Sequence, residues 1–227
     1  MRVTVVLAPG VGEVPAGATA LIIDVLRAST TLTVALSNGA TRVLPVAGTD
    51  EAFTLKTAQP DALLCGERDG MRIAGFDLGN SPAEYSRSAV ADRPLIFAST
   101  NGSLAMLGAH RAGRRVLAAF VNASAAVEAV ASEREVALVC AGKLGAFSLE
   151  DAACAGWLGA KLAERGGRIE GAGARLAVRL APHSRREVRA VLQGSSHGRY
   201  LRSLGETFAR DVEFCAGLDR IDRAFEI

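Results

Sequence analysis

Residues 24–31, Asp-Val-Leu-Arg-Ala-Ser-Thr-Thr, put an acid, a base and three consecutive hydroxyls into one short turn. The apolar run Ala20-Leu21-Ile22-Ile23 leads into Asp24, and Leu32, Val34, Ala35 and Leu36 follow at helical spacing up to Asn38-Gly39. This pattern predicts a buried strand, a carboxylate at its C-terminal tip and a hydroxyl-capped helix. A helix start attracts anions through its free N–H groups and positive dipole end, and Arg27 adds a planar fork suited to phosphate. A carboxylate beside an anion site makes chemical sense when a divalent cation also belongs there. The plain structural alternative is a Ser29 cap and an Arg27 surface charge. The crowding of acid, base and hydroxyls into one turn favours the functional reading.

Other acids stand at or near strand ends: Glu67, Asp77, Glu150 and Asp151. Hard cations such as Mg²⁺ take one or two carboxylates together with waters and substrate phosphate. Glu150 and Asp151 open a predicted helix, where acids also serve simply to compensate the dipole. Asp77 lies between Phe76 and Leu78, so it either bonds the N–H groups of its own loop or holds a ligand. Thr100-Asn101-Gly102-Ser103 follows a strand and opens a helix; it offers donors for an oxyanion, or an ordinary cap. Gly142-Lys143-Leu144-Gly145 lacks the Walker A spacing, no Gly-x-Gly-x-x-Gly opens the first strand–helix turn, and no Gly-x-Ser-x-Gly elbow is present. Of the histidines, His110 ends a helix and His183 lies among arginines. His197, in Ser-Ser-His-Gly, is the best active-site candidate of the three, although a capping turn explains that stretch better.

These residues must be positioned by alternating strands and helices. Strands are predicted at 3–7, 18–23, 42–46, 62–65, 95–98, 116–120 and 135–140. Helices are predicted after residue 28, over 50–58 with Thr49 as cap, from Ser81-Pro82, from 102 to about 112, from Asn122 to about 133 and over 149–165. The remainder reads as mostly helical, with 176–180 open to either assignment and a break near residue 196. Residues 66–82 form a long, charged, glycine-punctuated loop, and Met71, Ile73, Phe76 and Leu78 within it should seek burial. The expectation is an α/β fold with a largely parallel or mixed sheet, helices on both faces and a helical C-terminal region, within one unit over 1–227; a C-terminal lobe from about 166 is the variant. Such sheets bind ligands beyond the C-terminal ends of their strands, which is where turns 24–31, 66–82, 99–103 and 141–151 fall.

The chain has 227 residues, a net charge of +2 and 49% apolar residues, enough for one large core and too balanced to announce a nucleic-acid or membrane surface. The four cysteines form no Cys-x-x-Cys pair and have no histidine at metal-ligand spacing, so they read as reduced core thiols. Without a signal peptide or a membrane-length apolar run, the expected location is the cytoplasm. If the chain assembles, a homodimer is the commonest outcome.

Taken together, Asp24–Thr31, Gly66-Glu67-Arg68, Gly75-Phe76-Asp77-Leu78-Gly79-Asn80-Ser81-Pro82, Thr100-Asn101-Gly102, Glu150-Asp151 with Ala155-Gly156, and Ser196-His197-Gly198 with Asp211, Phe214 and Cys215 resemble the 2-phosphosulfolactate phosphatase family. The matches keep the family order and span nearly the whole chain; Ser103 replaces a threonine and keeps the hydroxyl. The resemblance implies an α/β enzyme that hydrolyses a small anionic phosphomonoester such as 2-phospho-3-sulfolactate at a Mg²⁺ site. On that expectation Asp24 is a metal ligand or nucleophile, with Asp77, Glu150 or Asp151 completing the metal set. Arg27 and the Ser29, Thr30 and Thr31 region bind phosphoryl oxygens. Arg68, Asn80, Asn101 and Gly102 position the substrate, and Glu67 is the candidate general base. The competing readings are a non-catalytic sensor of phosphorylated metabolites and, disfavoured by the missing fingerprint, a nicotinamide-dependent oxidoreductase.

Overall fold

A computed structural model describes residues 1–227. In chain order the strands are β1 (Arg2–Val6), β2 (Thr19–Ile23), β3 (Arg42–Pro45), β4 (Leu63–Arg68), β5 (Met71–Arg72), β6 (Pro94–Ala98), β7 (Arg114–Ala118), β8 (Glu135–Cys140), β9 (Arg168–Ile169) and β10 (Phe225–Glu226). The helices are α1 (Ala28–Ser37), α2 (Thr49–Ala58), α3 (Arg87–Val90), α4 (Gly102–Gly108), α5 (Ala123–Ala129), α6 (Leu149–Glu164), α7 (Ala172–Arg179), α8 (Arg185–Gly194), α9 (Ser196–Ser203) and α10 (Glu206–Cys215). No helix is long and apolar enough to cross a membrane.

The strands form two sheets where the sequence suggested one. The larger runs β10-β7-β2-β8-β1-β9 and is parallel except for β10; the smaller runs β3-β6-β4-β5 and is parallel except for β5. The split follows from period-two alternation. Leu21 and Ile23 face one core with Leu138, Cys140 and the α6 residues Cys154 and Leu158. Ala20 and Ile22 face the other way, onto Leu32 and Ala35 of α1, which pack in turn on Cys65, Leu95 and Phe97 of the small sheet. The far side of the small sheet buries Leu64, Ile96 and Ala98 against Ala52 of α2. α1 is thus a helix held between two sheets. Residues 28–36 are all buried, as expected for a helix that is apolar around most of its circumference.

The C-terminal helices close the other face of the large sheet, and Val188, Leu192, Leu201, Val212 and Cys215 share one core with Leu21 and Leu138. Residues 176–179 are helical, inside α7. All four cysteines are buried and free. The elements after Ser81 and Asn122 are shorter than the sequence suggested: a 3₁₀ turn at Pro82–Glu84, and a 3₁₀ turn leading into the two-turn α5. α2 begins at Thr49 itself, with Gly48 in the cap position. The long 66–82 loop is partly a hairpin, since β4 continues to Arg68 and pairs with β5. Phe76 is buried as anticipated, whereas Met71 lies on the exposed strand of that hairpin.

Candidate active site

The turns after β2 and β8 of the large sheet, and those at the ends of β4 and β6 of the small sheet, meet at one place. Together with α9 they enclose a cavity of about 240 Å³. Its walls include Asp24, Arg27, Glu67, Asn80, Thr100 and Asn101, with Asp69, Gly70, Lys143, Leu144, His197 and Tyr200 around them.

Asp24 is the hinge of the arrangement. Its Oδ1 accepts the Ala28 N–H at 3.2 Å, and its carbonyl accepts the Ser29 N–H at 2.9 Å. Asp24 therefore caps α1 and takes up N–H groups that the sequence reading offered to phosphate. The hydroxyls of the turn face inward. Ser29 donates to the Ile22 carbonyl at 2.8 Å, Thr30 to Val25 at 2.9 Å and Thr31 to Asn80 at 3.0 Å. With α1 buried between sheets, these hydroxyls have no water and must find backbone acceptors. None of the three lines the cavity.

The other oxygen of Asp24 faces α4. A Cβ on Gly102 would lie 2.6 Å from Asp24 Oδ2 and 2.5 Å from Ala28 Cβ, so only glycine permits this approach. Burial pushes the Asp24 carboxyl up to about 6; His197 and the Ala28 N–H oppose the rise, while Glu67 and Glu150 add to it.

Arg27 is buried and already paired. It donates to Asp211 Oδ2 and to the Gly70 carbonyl, each at 2.7 Å, and its guanidinium lies 5.2 Å from the Phe208 ring centre. Ser81 donates to the second Asp211 oxygen at 2.6 Å. Burial raises the Asp211 carboxyl, against the pull of Ser81 and Arg27. Glu67 clamps two turns: Oε2 accepts the Gly70 N–H and Oε1 the Thr100 N–H, each at 2.8 Å.

The pair at the start of α6 divides its work. Ser148 caps the helix by accepting the Asp151 N–H. Asp151 accepts the Val25 N–H at 2.9 Å and the Gly142 N–H at 3.1 Å, so it staples the turn after β2 to the turn after β8. Burial, with the Asp24 and Glu150 charges nearby, raises its carboxyl well above the usual range. Glu150 instead meets His197, with Oε1 3.3 Å from Nδ1. Burial pushes Glu150 up, but His197, its own backbone amide and Ser195 outweigh it and hold the carboxyl below the usual range.

Besides the three hydroxyls, Arg68, Asp77, Gly102, Glu150 and Asp151 do not line the cavity. Asp77 is exposed and accepts the Leu64 N–H of β4 at 2.8 Å, so it bonds the strand before its loop and not the loop's own N–H groups. Arg68 turns back to the Glu67 carbonyl at 2.9 Å. Asn101 lines the cavity with its Oδ1 engaged by the Leu144 N–H at 2.7 Å. His197, Asp211 and Lys143 are site residues that the sequence reading left out of its set. The signal for His197 was its break between helical stretches: Ser195 caps α9, which frees His197 to face the cavity.

The oxygen atoms present suit a hard cation. Asn80 Oδ1 lines the cavity region, is buried and has no hydrogen-bond partner, and Asp24 and Glu67 supply carboxylates beside it. No three His, Cys, Asp or Glu side chains come together as a closed metal cage. Such a set fits Mg²⁺, which keeps waters and substrate oxygens in its shell, and does not suit a structural zinc.

Residues 8–226 match the 2-phosphosulpholactate phosphatase family. A protein of Thermotoga petrophila named probable 2-phosphosulfolactate phosphatase is 41% identical over 88% of this chain and 85% of its own length. Proteins of the same name from Deinococcus radiodurans and Symbiobacterium thermophilum are 43% and 41% identical, covering 88% and 89% of this chain and 83% and 88% of their own lengths. With the match running from the first turn to the last strand and through every wall of the cavity, the chain belongs to the 2-phosphosulfolactate phosphatase family.

Proposed function

We propose that the protein hydrolyses 2-phosphosulfolactate to 3-sulfolactate and phosphate in the cavity between the two sheets. Beyond family membership, the observation that carries this reading is the convergence of Asp24, Arg27 and His197 on one small polar cavity, with Glu150 against the His197 ring.

The chemistry needs two things. Negative charge on the phosphoryl oxygens must be stabilised, and the departing alkoxide must be protonated. The leaving oxygen belongs to a secondary alcohol, a poor leaving group without an acid. His197 is placed to be that acid. Glu150 holds Nδ1, which leaves Nε2 as the ring nitrogen free to pass a proton to the substrate. As the P–O ester bond breaks, its electron pair goes to the alcohol oxygen, which takes the His197 proton. The oxygen of water forms the new bond to phosphorus, and its proton leaves to Glu67, a carboxylate of the cavity wall.

Arg27 supplies oriented N–H donors. Its partners Asp211 and Gly70 pre-set its plane, so little reorganisation is needed when a phosphoryl group arrives. Asp24 and Asn80 Oδ1 would hold Mg²⁺, which when bound adds charge neutralisation at the phosphoryl oxygens.

Release of inorganic phosphate from 2-phosphosulfolactate and a panel of phosphomonoesters tests the reading. Turnover that prefers 2-phosphosulfolactate is expected. Tight binding of the ester without turnover would leave the non-catalytic sensor as the better description.

A further inference from the structure

Two non-histidine cations line the cavity, and they differ in their freedom. Arg27 is neutralised by Asp211, with both side chains only 3% exposed. Lys143 has no carboxylate within ion-pair distance, although Asp69 and Glu67 line the same cavity. Its ammonium sits instead 4.6 Å from the centre of the Tyr200 ring. That ring is fixed from behind, since its hydroxyl donates to the Asp69 carbonyl at 3.0 Å.

The backbone of Lys143 is equally well held. Lys143 and Ala146 exchange two N–H···O bonds of 2.9 Å, forming a closed turn. Gly142 makes the turn possible: its φ is +69°, and a Cβ there would lie 2.3 Å from the Ala146 carbonyl oxygen. Asn101 then ties the turn to the start of α4 through the Leu144 N–H. A lysine on an exposed turn ordinarily swings in water. This one is fixed at both ends and presents an uncompensated charge to a polar cavity.

From this placement we propose that Lys143 is a specificity-determining residue, whose ammonium binds the second anionic group of the phosphoester, its sulfonate or carboxylate. The proposal rests on the phosphatase reading and deepens it. The phosphoryl group lies toward Asp24 and Arg27, and the remaining anion toward Lys143 and Tyr200. A compact ammonium with three rotatable donors can meet either a tetrahedral sulfonate or a planar carboxylate. The aromatic face steadies the cation without neutralising it, so its charge stays available to the substrate.

Two measurements on Lys143→Met and Lys143→Arg test this. The first is kcat/KM for 2-phosphosulfolactate and for isopropyl phosphate, which has a similar secondary-alcohol leaving group and no second anion. Lys143→Met is expected to lower the ratio of the two values about 10- to 100-fold, as loss of a charged hydrogen bond does, through KM more than kcat. Lys143→Arg should recover part of that ratio. An unchanged ratio would overturn the proposal. The second is calorimetric binding of 3-sulfolactate, which needs no turnover. Weaker binding to Lys143→Met than to the wild type is expected. Equal binding to both, or no binding to the wild type, would overturn the assignment of Lys143. Failure of the wild type to cleave either ester would instead count against the phosphatase reading, with the binding arm still deciding the role of Lys143.

Discussion

Glu150 Oε1 lies 3.3 Å from His197 Nδ1, joining the first turn of α6 to the first turn of α9 at the edge of the cavity. The contact lacks full hydrogen-bond alignment, since Oε1 is buried with no hydrogen-bond partner. Catalytic pairs often tighten only when substrate arrives, and a pair that orients an acid has this form. The relationship also explains why Glu150 and Asp151, adjacent in sequence, have different tasks. Successive residues on a helix point about 100° apart, so one reaches His197 and the other the backbone of two turns.

If His197 protonates the leaving oxygen, its removal must hurt poor leaving groups most. His197→Ala should lower kcat on 2-phosphosulfolactate by about 10²- to 10⁴-fold. On an aryl phosphate, whose phenolate departs without help, the loss should be much smaller. Glu150→Gln should follow the same pattern with a smaller loss. Equal losses on alkyl and aryl esters would show that His197 does not act as the acid.

Asp24 makes a prediction about stability and pH. Its carboxyl is raised to about 6 in the folded protein, above the ordinary value near 4, so between these limits the native state holds the proton that the unfolded state has lost. Stability therefore falls as pH rises through that window, and the cost is complete above pH 6, roughly 3 kcal/mol for a shift of this size. Asp24→Asn keeps the acceptor for the Ala28 N–H and removes the cost. In metal-free urea titrations the variant should match the wild type near pH 4 and exceed it above pH 6. A constant difference across the range would contradict the assignment.

Arg27 and Asp211 form the most buried ion pair in the protein. Asp211→Ala leaves the guanidinium charge buried beside Phe208 and frees the Ser81 hydroxyl, which should cost about 3–5 kcal/mol of stability. Asp211→Asn, which keeps an acceptor, should cost less. Denaturation midpoints check both. A loss under about 1 kcal/mol for the alanine variant would mean that solvent reaches Arg27 after all.

Gly102→Ala tests the packing of α4 on Asp24. The added methyl would meet Ala28 Cβ at 2.5 Å and Asp24 Oδ2 at 2.6 Å, and α1 has no room to retreat between the sheets. A destabilisation of about 1–3 kcal/mol is expected, together with loss of turnover as Asp24 is displaced. Unfolding curves and phosphate release on the same preparation would report both. Wild-type values in both would show that α4 can move aside.

Much of this site was legible in the sequence because its parts are local. The strand, acid and helix at residues 20–36 carry their own signals, and so do the turns after β6 and β8. The unread parts are long-range or depend on side-chain direction. Splitting the strands into two sheets is a question of partners: β4 and β6 have the same apolar pattern in either arrangement. Ser29, Thr30 and Thr31 look like phosphate ligands until α1 is known to be buried on every side. Arg68 and Lys143 are both cations near strand ends. Only the β4–β5 hairpin shows that Arg68 turns back on its own strand while Lys143 faces the cavity. Asp211 lies 184 residues from Arg27, beyond any spacing rule. Asp77 is exposed because the loop buries Phe76 and leaves the acid to hold Leu64 from outside.

The central claim is that the cavity formed by both sheets hydrolyses 2-phosphosulfolactate and that Asp24 is needed for it. The most direct measurement is the rate of phosphate release from this ester by the wild type and by Asp24→Asn, each with Mg²⁺ and with chelator. Rapid release by the wild type with Mg²⁺ is expected, with a large loss on chelation and in the variant under both conditions. Equal rates for wild type and Asp24→Asn, or no release by the wild type with Mg²⁺ present, would contradict it.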